Sequence, residues 1–139
     1  HFLYEGGVKI LNPHWTAKSY LLDSGGFMKD FFLSIAENQT LLSISDAANA
    51  WGLALIGLSL IAGVLTRFSS IAAMVLLLLY YLSHPAFPGI DYLFPSDGSY
   101  FIVNKTLVEL FALLVIFAFP TSHIFGIQRL IKSKKSLLA

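Results

Sequence analysis

No cysteine occurs among the 139 residues. That absence excludes disulfides, thiolate metal sites, iron–sulfur ligation and any cysteine nucleophile or persulfide carrier. Charge is scarce as well. Charged residues make up 12% of the chain, against about 25% in a soluble domain. Half the usual supply cannot cover a surface that faces water on every side, so lipid is the expected solvent for much of it. The net charge of +1 gives no bulk attraction to nucleic acid, and no nucleic-acid partner is expected. No signal-peptide pattern is visible, and the sequence opens on His1.

Apolar residues fill the space left by charge. They make up 56% of the chain, and the mean hydropathy is +0.72. The length fits a single membrane domain, 1–139. The clearest span is 47–65, a run without charge, close to the roughly 20 residues a helix needs to cross a bilayer core. Ser45 or Asp46 is placed to cap its start, and Arg67 marks its exit. A second span, 68–82, follows so closely that the two must be antiparallel neighbours. A third, 103–119, carries Lys105 and Glu109 and meets Pro120. Residues 1–11 read as the end of a helix stopped at Asn12-Pro13, a first span whose beginning lies upstream. The expected fold is all-α, a polytopic four-helix membrane bundle with its first helix truncated in this chain.

Residues 14–46 are too polar to span. Phe27, Phe31 and Ile35 recur at helical spacing, and Trp15 and Tyr20 add rings suited to the membrane–water interface. This segment is expected as extracytoplasmic helices lying on the bilayer. Tyr80 and Tyr81 read as interface anchors. Arg67, Arg129, Lys132, Lys134 and Lys135 fall on one side of the spans, with the 121–139 tail. Opposite them lie only Lys18 and Lys29, with Asp23, Asp30, Glu37, Asp46, Asp91 and Asp97. The positive-inside rule places the basic tail in the cytoplasm.

Ionisable residues inside a bilayer are costly and mark candidate sites. Glu5 and Glu109 qualify, each about 6 Å below the outer boundary at about 1.5 Å of rise per residue. Each has a lysine four residues away on its own helix, Lys9 and Lys105. The functional reading is a polar pocket in the outer half of the bundle. Glu5, Glu109, Asn49 and Asn104 wall it, and Lys9, Lys105 and His84 stand near its mouth. Such a pocket suits a small anion, a quinone head group or a proton relay. The plainer reading is two intrahelical ion pairs that bind helices together. Ala48/Gly52 and Ser59/Gly63 have the spacing of close helix packing. No catalytic residue can be named.

Haem between helices needs two histidines at one depth, whereas His84 and His123 end spans on opposite sides. Spacing among His1, His14, His84 and His123 forms no metal motif, and neither metal nor haem is expected. Asn38-Gln39-Thr40 and Asn104-Lys105-Thr106 match the glycosylation tripeptide, a pattern common by chance.

Several segments together carry a resemblance. They are Tyr4-Glu5-Gly6-Gly7-Val8-Lys9, Asn12-Pro13-His14-Trp15, Tyr20-Leu21-Leu22 and Asn49-Ala50-Trp51-Gly52-Leu53 with Gly57. Gly63-Val64-Leu65-Thr66-Arg67, Tyr80-Tyr81-Leu82, Asn104-Lys105-Thr106-Leu107-Val108-Glu109 and Pro120 complete them. Over almost its whole length the chain resembles the DoxX/DoxD-like membrane protein family, and the DoxD branch most closely. The resemblance implies four spans in a bacterial inner membrane. It also implies a subunit of a thiosulfate:quinone oxidoreductase that works with a second membrane-complex subunit. It carries over no catalytic residue.

Two functions follow as expectations. One is a subunit linked to quinone or small-anion redox chemistry, with quinone as a non-covalent cofactor. The other is a non-catalytic accessory subunit of a larger membrane complex, packed against other subunits and the bilayer. Three or four short spans without broken helices give a transporter little support.

Overall fold

The computed structural model describes residues 1–93, 99–119 and 126–127. Among these the chain is mostly helical. Helix α1 spans Phe2–Leu11, α2 Lys18–Leu22, α3 Lys29–Glu37, α4 Gln39–Ala62, α5 Thr66–Ser83 and α6 Lys105–Ala118. A single 3-10 turn, Gly26–Met28, leads into α3. Among the described residues two helices, α4 and α5, are long and apolar enough to cross a membrane. Arg129, Lys132, Lys134, Lys135 and His123 lie outside the described residues.

Helix α4 begins earlier than expected, at Gln39 rather than Ala47. Asn38 is the reason. Its Oδ1 accepts from the backbone N–H of Thr40 at 3.0 Å and of Leu41 at 3.2 Å, which satisfies two amides that a helix start leaves open. Asp46, expected as a cap, sits inside the helix, and its Oδ1 accepts from Ala17 N at 2.8 Å. Asn104 caps α6 in the same way, accepting from Leu107 N at 3.0 Å. Both asparagines of the tripeptide pattern therefore have a structural use. Asn38→Ala is expected to cost about 1 kcal/mol of stability, read as a lower unfolding midpoint in detergent, with the first turn of α4 exchanging its amides faster.

Helix α4 ends at Gly63, whose left-handed φ of 64° lets the chain turn back. Ser59 Oγ donates to Val64 O and accepts from Ser69 Oγ, the latter at 2.6 Å, stitching the α4–α5 turn. Ser59 and Gly63 thus serve this turn. The expected pair Ala48/Gly52 does not make the close helix contact: Ala48 is exposed, and a Cβ on Gly52 would meet nothing within 4 Å.

The close contact lies elsewhere. Helix α1 packs along α4, and a Cβ on Gly6 would stand 2.8 Å from Ala54 Cα and 2.9 Å from Ala50 O. A Cβ on Gly57 would stand 2.7 Å from Leu3 Cα. Ala50, Ala54 and Gly57 share one face of α4 at helical spacing, and Gly6 fits against it. Helix α6 packs on α5, and α4 on α5. Ile56, Ala73, Leu77 and Leu113 form the core between them, with Phe2 against it.

A second core joins α2 and α3 to the start of α4 through Ala17, Leu21, Phe32, Ala36 and Leu42. Phe32 and Ala36 face inward, while Phe27 and Phe31 are exposed. A short hairpin unforeseen in the sequence, β1 (Ser99–Tyr100) against β2 (Val103–Asn104), precedes α6.

Candidate functional site

Glu5 and Lys9 stand four residues apart on α1, and His1 precedes Glu5 by the same interval. All three fall on one face of that helix. The tight contact at Gly6 fixes where that face points. His1 Nε2 lies 3.6 Å from Glu109 Oε2 of α6. At the other end of the stripe Lys9 Nζ donates to Asn49 Oδ1 of α4 at 2.9 Å. The same ammonium lies 4.9 Å from the Trp15 ring centroid and 5.7 Å from that of Tyr80, distances at which an aromatic face attracts a cation. Glu5 adds its charge to this group, acting on both Lys9 and Tyr80.

Tyr80 was expected as an interface anchor. It is instead half-buried on α5, and its buried hydroxyl lies against the Asn49 side chain of α4.

The Tyr80 side chain and Asn49 line a cavity of about 210 Å³. It lies between the α2–α3 layer and the adjoining ends of α4 and α5. Its walls are apolar: Leu21, Phe31, Phe32, Ile35, Leu76 and Leu79. Its polar groups are few, namely Tyr20, Ser45, Asn49, Tyr80 and Ser83. Phe31, Ala48 and Leu79 are exposed lining residues, so they form the mouth.

Behind Ser83 lies a second polar cluster. His84 closes α5, and its ring is held between Tyr20, at 4.0 Å and 27°, and Tyr92, at 4.7 Å and 40°. Its Nδ1 lies 3.1 Å from Ser83 Oγ, and Ser83 Oγ lies 2.7 Å from Ser24 Oγ. His84 Nε2 lies 3.6 Å from Asp23 Oδ2, an ion-pair distance too long for a hydrogen bond. Asp23 Oδ1 accepts from Leu93 N at 3.0 Å. Burial pushes the His84 imidazolium below the ordinary histidine range, and the Asp23 charge opposes part of that shift. Burial likewise pushes the Tyr20 phenol well up, with Tyr80 and Tyr92 adding to it.

The single pocket expected from the sequence is thus divided. Glu5, Lys9 and Asn49 come together with Tyr80 and Trp15. Glu109 pairs with His1 farther along α1, and His84 belongs to the Asp23 cluster. Asn104 is a helix cap and Lys105 opens α6. Of the expected residues, Asn49 lines the cavity described. A signal for Tyr80 was present: it follows Ala73 and Leu77 at helical spacing and shares their buried face. Asp23 gave none, because a loop carboxylate carries no periodicity. Among the described residues no group of three or more His, Asp or Glu side chains is placed to hold a metal. Compared with family models, with proteins of curated function and with solved structures, the chain matches none.

Proposed function

We propose that this chain is a DoxX/DoxD-like integral membrane subunit whose cavity receives the head group of a lipid-soluble quinone. Helices α1, α4, α5 and α6 form the four-helix bundle of this reading, and α2–α3 cap it on the extracytoplasmic side. Support for lipid as solvent comes from the outward faces. Only 22% of the apolar window of α4 and 28% of that of α5 are buried, and Trp51, Leu55, Ile61, Phe68 and Val75 stand exposed. Water would penalise such a surface. The excess of Arg and Lys around Arg67 and the tail supports a cytoplasmic C-terminus.

The observation that carries the quinone reading is the apolar cavity itself, with a few polar residues, Asn49 among them, in its wall. A quinone matches that chemistry: a flat apolar ring with carbonyl oxygens that accept hydrogen bonds. Lys9 occupies the amide oxygen of Asn49 and leaves the amide N–H side to donate to a carbonyl. The exposed mouth at Phe31, Ala48 and Leu79 opens toward lipid, where an isoprenoid tail would remain. A small dianion such as thiosulfate finds too few donors among these walls. Electrons come from a partner subunit, as the resemblance implies.

Quenching of tryptophan fluorescence by a short-tail benzoquinone tests this reading, since Trp15 sits over Lys9 beside the site. Saturable quenching is expected. Asn49→Leu should weaken binding about tenfold, the worth of one hydrogen bond of about 1.4 kcal/mol. Unsaturable quenching, equal in wild type and Asn49→Leu, would favour an accessory subunit without a ligand.

A further inference from the structure

We propose that the β1–β2 hairpin is a lipid anchor, its apolar tip seated in the outer leaflet beside the start of α6. From the reading above the inference takes only lipid as solvent, and it does not depend on the quinone. The strands pair Ser99 with Asn104 and Tyr100 with Val103, so Phe101 and Ile102 make the turn. All four residues of the tip are exposed, Tyr100 at 87% and Phe101 at 81%. None has a charged or amide side chain. Phe101 has a φ of 57°, a left-handed conformation that glycine takes freely and a bulky residue takes at a cost. A ring so exposed gains too little packing within the chain to offset that cost. An occupant outside the chain offsets it.

The tip is held in place at two points. Tyr81 Oη, near the end of α5, donates to Ile102 O at 2.8 Å. Asn104 closes β2 and caps α6 through Leu107 N, so no slack separates strand from helix. Three observations make lipid the occupant. Exposed apolar residues continue beyond the hairpin along one stripe of α6, Val108, Phe111 and Val115, at helical spacing. Helix α6 has 14 residues, about 21 Å at about 1.5 Å each, against about 30 Å of hydrocarbon. Two strand residues add about 7 Å, which brings the apolar column close to that thickness. Tyr81 and Tyr100 supply amphipathic rings of the kind that collect at headgroup level.

Single-tryptophan proteins in phosphatidylcholine vesicles test the anchor. One carries Phe101→Trp with Trp15→Phe and Trp51→Phe; the other carries Trp15→Phe alone and keeps Trp51 of α4. Lipid brominated near the headgroup should quench the Phe101→Trp protein about threefold more strongly than lipid brominated near the chain ends, because an interfacial group lies about 5–10 Å deep. Aqueous iodide should quench it about threefold less than free tryptophan. Ile102→Trp in the same background should repeat both results from the other turn residue. Iodide quenching equal to that of free tryptophan puts the tip in water, and protection from both quenchers puts it against protein. Either outcome overturns the anchor. Trp51, exposed on α4, should be quenched by brominated lipid whatever the hairpin does. If it is not, the membrane reading falls as well.

Discussion

Gly6→Leu is expected to force α1 off α4 and to destabilise the protein by about 3 kcal/mol or more. The added side chain would begin at a Cβ 2.8 Å from Ala54 Cα and 2.9 Å from Ala50 O. Those neighbours are backbone atoms of a continuous helix, so no rotamer change can make room. Either α1 moves outward by a few ångströms or it does not pack. In both cases the contact stripe of Gly6, Ala50, Ala54 and Gly57 loses the close approach on which van der Waals attraction between the two helices depends. Gly7→Leu is the matched control, because a Cβ there meets nothing within 4 Å. It should stay within about 0.5 kcal/mol of wild type. Unfolding midpoints in mixed detergent micelles decide the comparison. Equal midpoints for the two variants would remove the α1–α4 contact from the account. Displacing α1 also withdraws Lys9 from Asn49, so benzoquinone binding should fall together with stability.

Why this contact escaped the sequence reading is instructive. Helix α4 is apolar on nearly every side, and such a helix has no polar face to mark what points outward. Two stripes of small residues then compete on equal terms, Ala48/Gly52 and Ala50/Ala54/Gly57. Only the partner helix distinguishes them, and its glycine is Gly6. The same ambiguity hid the start of α4. Asn38, Ser45 and Asp46 are all competent caps, and the polar run from Gln39 to Asp46 looked too hydrophilic to belong to the helix. It does belong, because Leu42 is buried against α2 and α3 while Ser43 and Thr40 face outward.

Long apolar runs were legible because their length alone limits them, which is why the α4–α5 pair was found with a short turn between its helices. Lys9 and Glu5 were legible as a local pair, but the decision of Lys9 to reach Asn49 depends on a helix crossing fixed by Gly6. His84 and Asp23 lie far apart in sequence, and a loop between α2 and α3 brings them together. Contacts of that kind leave no trace in spacing. Tyr80 lies between these cases: its position on the buried face of α5 could be counted, but the approach of its hydroxyl to Asn49 of α4 could not.

On the quinone reading proposed above, filling the cavity mouth should weaken binding without harming the fold, and Ala48→Trp is the substitution that does so. Ala48 lines the cavity and is exposed, so an indole there has space to occupy and displaces no packed side chain. The cavity of about 210 Å³ leaves little room for a quinone ring beside it. Affinity for the short-tail benzoquinone should drop about 100-fold, on the order of 3 kcal/mol. Ser45→Phe, on the same wall of α4, should give a similar loss. Ala47→Trp is the control: Ala47 is also exposed, but it does not line the cavity, and affinity there should be unchanged. Unfolding midpoints of Ala48→Trp and Ala47→Trp should agree within about 0.5 kcal/mol. The three affinities then locate the ligand. Loss in Ala48→Trp and Ser45→Phe alone places the head group in this cavity, against the Asn49 wall. Equal affinity in all three would move the ligand out of it and remove the quinone reading.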